Sequence, residues 1–204
     1  MLDLNEFAKE VHAVAVEHGW WEGERDEPTL VSLMCCEVAE AMEEYRTSRP
    51  MVWRECDEAE EGEDVPWCIG PECECLEGDE CCIGAMGEKP EGIAVELIDC
   101  CLRILDLAGA RGWEMWQDRT FDAWRVADCE RVEHLSMGEL TVWLFYELSG
   151  LAVSGQVYQL DKLVQIVGSI AGWVEAQGVD FETVLRAKHE YNKTRSYRHG
   201  GKRC

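Results

Sequence analysis

The chain has 204 residues, 47% of them hydrophobic, and a formal net charge of −23. That length and apolar content allow a real core and exclude wholesale disorder. The charge excludes a general binder of nucleic-acid backbone, which needs the opposite sign.

No apolar run is long enough to span a bilayer, and Met1 to Glu6 lack the basic start and apolar stretch of a secretory signal. The expectation is a cytoplasmic protein with no membrane or nucleic-acid partner. There are 12 cysteines, an even number, but nothing marks the chain as secreted. Cys35-Cys36 and Cys100-Cys101 fall in apolar helical patterns and are expected to be small core residues.

Leu4, Phe7, Ala8, Val11 and Ala15 recur at helical spacing and predict a helix over residues 3–18, stopped at His18-Gly19. Trp20-Trp21 follow in a short connection. Thr29 is placed to cap a second helix that runs to about Arg46. Its apolar stripe is Leu30, Leu33, Met34, Ala41 and Tyr45, and Glu37 falls inside it. An unpaired carboxylate on an inward face is costly, and a metal ion resolves the conflict.

Residues 47–91 break the pattern. Residues 51–91 hold 14 acids, 2 bases and 6 cysteines among several Gly and Pro, which reads as an inserted acidic loop. Four of its thiolates could hold a structural Zn²⁺, with Cys56, Cys68, Cys73, Cys75, Cys81 and Cys82 to draw on. The spacing lacks a Cys-x-x-Cys knuckle, so a loop with free thiols beside the mouth of a site is the alternative.

A third helix is predicted over residues 93–110. It is apolar except for one narrow stripe of Glu96, Asp99, Arg103 and Asp106, and Gly109 and Gly112 mark its end. Between residues 113 and 135, Trp113, Trp116, Phe121 and Trp124 suggest helical pieces packed by aromatics. Further helices are predicted over 139–153, 159–177 and 180–194, before a basic tail at 195–204. The fold class is all-α, a helical bundle in a single domain spanning 1–204.

A faint repeat runs through this pattern. Residues 30–45 overlay 140–155, bringing Glu37 onto Glu147, and residues 97–115 overlay 163–181. Two readings stand: a duplicated helical hairpin, or two generic amphipathic hairpins. In the first, the second copy has lost its acids, since Glu40 matches Gly150, Glu96 matches Lys162 and Asp99 matches Gln165.

Two acid pairs carry chemistry: Glu37-x-x-Glu40 and Glu96-x-x-Asp99. Residues i and i+3 share a helix face, so two antiparallel helices can gather four carboxylates around a divalent cation. Hard oxygen ligands suit Mg²⁺ or Mn²⁺, which polarise phosphoryl oxygens and activate water. Glu43 or Glu44 stands near enough in sequence to orient that water. The competing reading makes both pairs ordinary solvated helix faces. From Arg186 onward there are 7 Lys or Arg and one acid, Glu190, a local reversal of the protein's charge. Lys188, Asn192 and Arg195 share one helix face and suit phosphate oxygens. Cations near a helix C-terminus also simply offset its dipole.

The run from Glu37 through Arg46 resembles the first metal-binding helix of the MazG-like family, and Lys89 through Asp99 resembles the second. Tyr191-Asn-Lys-Thr-Arg195 through His199-Gly-Gly-Lys202 is similar to the C-terminus of phage and bacterial members, and His18-Gly-Trp-Trp21 fits as well. The resemblance implies an all-α nucleoside triphosphate pyrophosphohydrolase fold and Mg²⁺-assisted hydrolysis of an NTP or dNTP to monophosphate and pyrophosphate. It implies Glu37, Glu40, Glu96 and Asp99 as catalytic metal ligands, and Lys188, Asn192 and Arg195 as phosphate contacts. Trp20 or Trp21 would stack on a base or pack the core, and a homodimer is compatible with the family. The sequence departs from the family in its long Cys-rich insertion, in Cys36 where many relatives have Glu, and in Ser196 where Pro is expected. The alternative function is a non-catalytic helical protein that binds nucleotides or another protein, and a third reading makes the insertion a Zn-stabilised interaction loop.

Overall fold

Helix starts follow from short acids that accept backbone N–H groups. In the computed structural model, which describes residues 2–23, 25–54, 65–66, 89–114, 132–153 and 160–198, Asp3 caps α1 (Leu4–Glu17) through the amides of Asn5 and Glu6. α2 (Glu27–Arg46) begins earlier than expected. Its cap is Asp26, not Thr29: the Asp26 side chain accepts from Thr29 N at 2.7 Å, and Pro28 sits in the first turn where it loses no bond.

α3 (Ile93–Arg111) has no side-chain cap. Instead Pro50 O and Met51 O accept from Ile93 N and Ala94 N. Gly92, with φ 115, makes this possible, because a Cβ there would lie 2.8 Å from both carbonyl oxygens. Trp53 and Glu91 exchange both backbone hydrogen bonds at 2.9 Å. The chain therefore leaves and re-enters the helical body at one closed neck, and a long insertion needs no displacement of α2 from α3. Within the expected loop, β1 (Trp53–Arg54) pairs antiparallel with β2 (Val65–Pro66). All six insertion cysteines lie outside the described residues, as do Trp116, Phe121 and Trp124.

α4 (Met137–Val153) opens on a capping box, with Ser136 and Glu139 bonding each other's amides. α5 (Leu160–Ala176) follows, and Asp180 caps α6 (Phe181–Thr194) through Thr183 N. The described residues thus form a predominantly helical bundle of six helices.

α3 is its axis. It is buried along most of its length and packs on α1, α2, α5 and α6, while α4 covers the far side of α2. Each large aliphatic side chain buried here contributes about 1.5–3 kcal/mol of transfer free energy. Close approach of α1 to α3 requires Gly109, where a Cβ would stand 2.4 Å from Ala8 O. Two placements differ from expectation. Tyr45 is 51% exposed because the last turn of α2 overhangs the core. Cys36 is exposed and Cys35 half-buried, whereas Cys100 and Cys101 are fully buried. No described helix is long and apolar enough to cross a membrane.

Candidate metal and phosphate site

α2 and α3 bring Glu37, Glu96 and Asp99 together, with one carboxylate oxygen from each lying within 4.8 Å of the others. Glu37 sits on the buried face with Leu30, Val31, Met34, Val38 and Ala41, and Glu96 emerges from the first turn of α3. They are 5% and 6% exposed, so neither is a solvated helix face. Glu40 is exposed and stands outside this group, on the rim of the same cleft.

The polar stripe of α3, Glu96, Asp99, Arg103 and Asp106, lines the cleft over its whole length. Arg103 donates from Nε to Glu37 Oε1 at 2.5 Å. Three residues on, Asp106 accepts from Trp21 Nε1 at 2.8 Å and bonds His12 Nδ1 at 2.8 Å. Trp21 is thereby committed to the protein. Trp20 lines the cleft, with the Arg25 guanidinium 5.9 Å from its ring centroid.

α6 supplies the opposing charge. Lys188 is fully buried, with Nζ 2.9 Å from Asp99 Oδ2 and donating to Pro90 O at 3.4 Å. Asn192 lines the cleft on the same helix. Arg195 also lines it, but from the extended C-cap position just past the end of α6, so only Lys188 and Asn192 share the helix face that spacing assigned to all three. Glu43 is paired with Arg46, and Glu44 accepts from Trp53 Nε1, so neither expected water-orienting acid lines the cleft.

The cleft holds about 250 Å³. Arg25, Lys89, Arg103, Lys188 and Arg195 line it together with Glu37, Glu40, Glu96, Asp99 and Asp106. In a chain of net charge −23 this is a local balance of signs, suited to an anion and a cation together.

Protonation follows from burial. Burial pushes the Glu96 carboxyl up to about 8, against the pull of Lys188 and with the help of Asp99 and Glu37. Burial raises Glu37 as well, and Arg103 opposes it. Burial works against the Lys188 ammonium, but Asp99 and Glu96 outweigh it and hold its pKa above the ordinary lysine value. A carboxylate cluster pushed toward neutrality is relieved by a divalent cation, so the donor set and its electrostatics fit Mg²⁺ or Mn²⁺.

Sequence reasoning left out three groups: Arg25, which lines the cleft beside Trp20, Arg103 as the partner of Glu37, and His189, which is 2% exposed and lines the cleft. The signal for His189 was present. Phe181, Val184, Leu185, Lys188, His189 and Asn192 follow helical stripe spacing, so Lys188 and His189 occupy inward positions just as Glu37 does.

At the positions matched to Glu37 and Glu96 in the repeat, Glu147 and Lys162 form an ion pair. Comparison with protein-family models, with curated proteins and with solved structures finds no match to this chain.

Proposed function

We propose that the cleft is the active site of a Mg²⁺-dependent nucleoside triphosphate pyrophosphohydrolase of the MazG-like kind. The observation that carries this reading is the buried triad of Glu37, Glu96 and Asp99 in one cleft with five basic side chains. Glu37, Glu96 and Asp99 would hold Mg²⁺ or Mn²⁺, which would supply charge to polarise a phosphoryl oxygen and favour ionisation of water. Water attacks the α-phosphorus, the bond to the α–β bridging oxygen breaks, and pyrophosphate leaves with the electron pair. Glu40 carries no ion pair among the described residues and stands at the rim, so it is assigned as acceptor of the water proton. Lys188, Asn192 and Arg195 hold the phosphates, with Lys89 beside them, and Trp20 offers its ring to the base.

The ion pair of Glu147 and Lys162 supports reading α4 and α5 as a second hairpin, in which internal charge replaces the metal site.

The deciding experiment is pyrophosphate release from a panel of NTPs and dNTPs with Mg²⁺ and with EDTA. Metal-dependent release, abolished by Glu37→Gln, is expected. No release by folded protein with Mg²⁺ or Mn²⁺ overturns the reading in favour of a binding protein.

A further inference from the structure

α6 sends more than cations into the cleft. The His189 ring packs edge-on to Phe7 with centroids 4.9 Å apart, and its Nε2 is buried with no hydrogen-bond partner among the described residues. One turn further, Asn192 Oδ1 is likewise buried and unpartnered. Both residues line the cleft that holds the acid triad. Residues i and i+3 share a helix face, so the two atoms belong to one patch of wall. Buried polar atoms are almost always satisfied in native proteins. Two adjacent exceptions in one cleft mark a position kept for polar ligand atoms.

The chemistry of the pair narrows the ligand. Asn192 Oδ1 can only accept, and so can an ionised phosphate oxygen, so that atom has no use for phosphate. It needs a donor. Burial, then Lys193, lowers the His189 pKa, which leaves a neutral imidazole with one N–H and one lone pair. A hydroxyl group satisfies both when the imidazole carries its proton on Nε2: its O–H donates to Asn192 Oδ1 while its oxygen accepts from His189 Nε2–H. The Asn192 amide N–H₂, a donor, is the end suited to a phosphate oxygen.

We propose that His189 and Asn192 bind a sugar hydroxyl of the nucleotide, so that α6 reads both sugar and phosphate. This rests on the nucleotide reading of the cleft. The site then takes a nucleotide with a free hydroxyl on its sugar and discriminates against one without.

The test compares kcat/KM for a dNTP, the matching NTP and the matching 2′,3′-dideoxy analogue. In the wild-type protein, loss of the hydroxyls is expected to lower kcat/KM at least about tenfold. Whether the dNTP behaves as the NTP tells the 3′ from the 2′ hydroxyl. In His189→Phe the ratio of hydroxylated to dideoxy substrate is expected to collapse toward one, and in His189→Gln, whose amide still donates, to recover in part. A merely structural role lowers both substrates together and preserves the ratio, which overturns the proposal. If no nucleotide is hydrolysed, the catalytic reading falls separately. The subsite is then decided by calorimetric titration of the dNTP and its dideoxy analogue with Mg²⁺: tighter binding of the dNTP supports it, and equal binding or none overturns it.

Discussion

Arg103 places both Nε and Nη2 at 2.5 Å from Glu37 Oε1 and so ties α3 to α2 at a carboxylate of the candidate metal site. Glu37 is 7% exposed in its side chain, so loss of this partner leaves a buried charge uncompensated. Arg103→Met is expected to destabilise the protein by about 1–3 kcal/mol. Mg²⁺ then has more to compensate, so the rise in melting temperature on adding it should be larger in the variant than in the wild type. Equal Mg²⁺ shifts in the two proteins would separate Arg103 from the metal site.

The raised pKa of Glu96, about 8, gives the stability a pH signature in EDTA. Between its ordinary value of 4.5 and about 8, the folded state keeps the Glu96 proton that the unfolded state has lost. Stability therefore falls as pH rises through this window, by an amount on the order of a few kcal/mol. Saturating Mg²⁺ favours the carboxylate and should flatten the slope, and Glu96→Gln should flatten it without metal. Chemical denaturation at pH 5, 6.5 and 8 measures this. A stability that increases over the same range is incompatible with the buried Glu96.

Gly109→Ala tests the contact between α1 and α3. The added Cβ meets Ala8 O at 2.4 Å and His12 Cβ at 2.6 Å, and backbone cannot yield as a side-chain tip does. The expected loss is about 1–3 kcal/mol, typical of overpacking, although alanine favours helices over glycine. A variant as stable as the parent in urea would show that α1 sits further from α3.

Arg198→Ala addresses the loop that carries Trp20. Arg198 donates to Gly19 O at 3.2 Å and to Glu22 O at 3.3 Å, and pairs with Glu22 Oε2. The Tyr197 ring lies where a Gly19 side chain would be. Removing the Arg198 side chain should speed amide exchange over residues 19–23, with stability changed by less than about 1 kcal/mol, and on the proposed function it should raise KM for the nucleotide. Unaltered exchange in that loop would show that residues 197–198 do not restrain it.

Much of this was readable from the sequence, for identifiable reasons. All six helices follow from apolar spacing, and the inward position of Glu37 follows from its place three residues after Met34 and four after Leu33. What periodicity does not encode is position along the axis. Tyr45 has the right angle for the core but lies on a turn of α2 that extends past it. The cap at Asp26 escaped because Thr29 was also a good cap, and only the Pro28 between them distinguishes the two. The pairings of Arg103 with Glu37 and of Asp106 with Trp21 and His12 join residues 66, 85 and 94 positions apart, a separation no local pattern reports.

The buried Lys188 also has a bearing on synthesis. α2 and α3 leave the ribosome with Glu37, Glu96 and Asp99 long before α6 brings the ammonium that pairs with Asp99. Until then Asp99 lacks its internal partner, and the wall bearing His189 and Asn192 does not exist. A nascent chain can gather the acids but cannot yet complete the cleft. The candidate cleft is thus complete only after the helix from Phe181 to Thr194 has docked, which makes any chemistry there contingent on folding of the whole bundle.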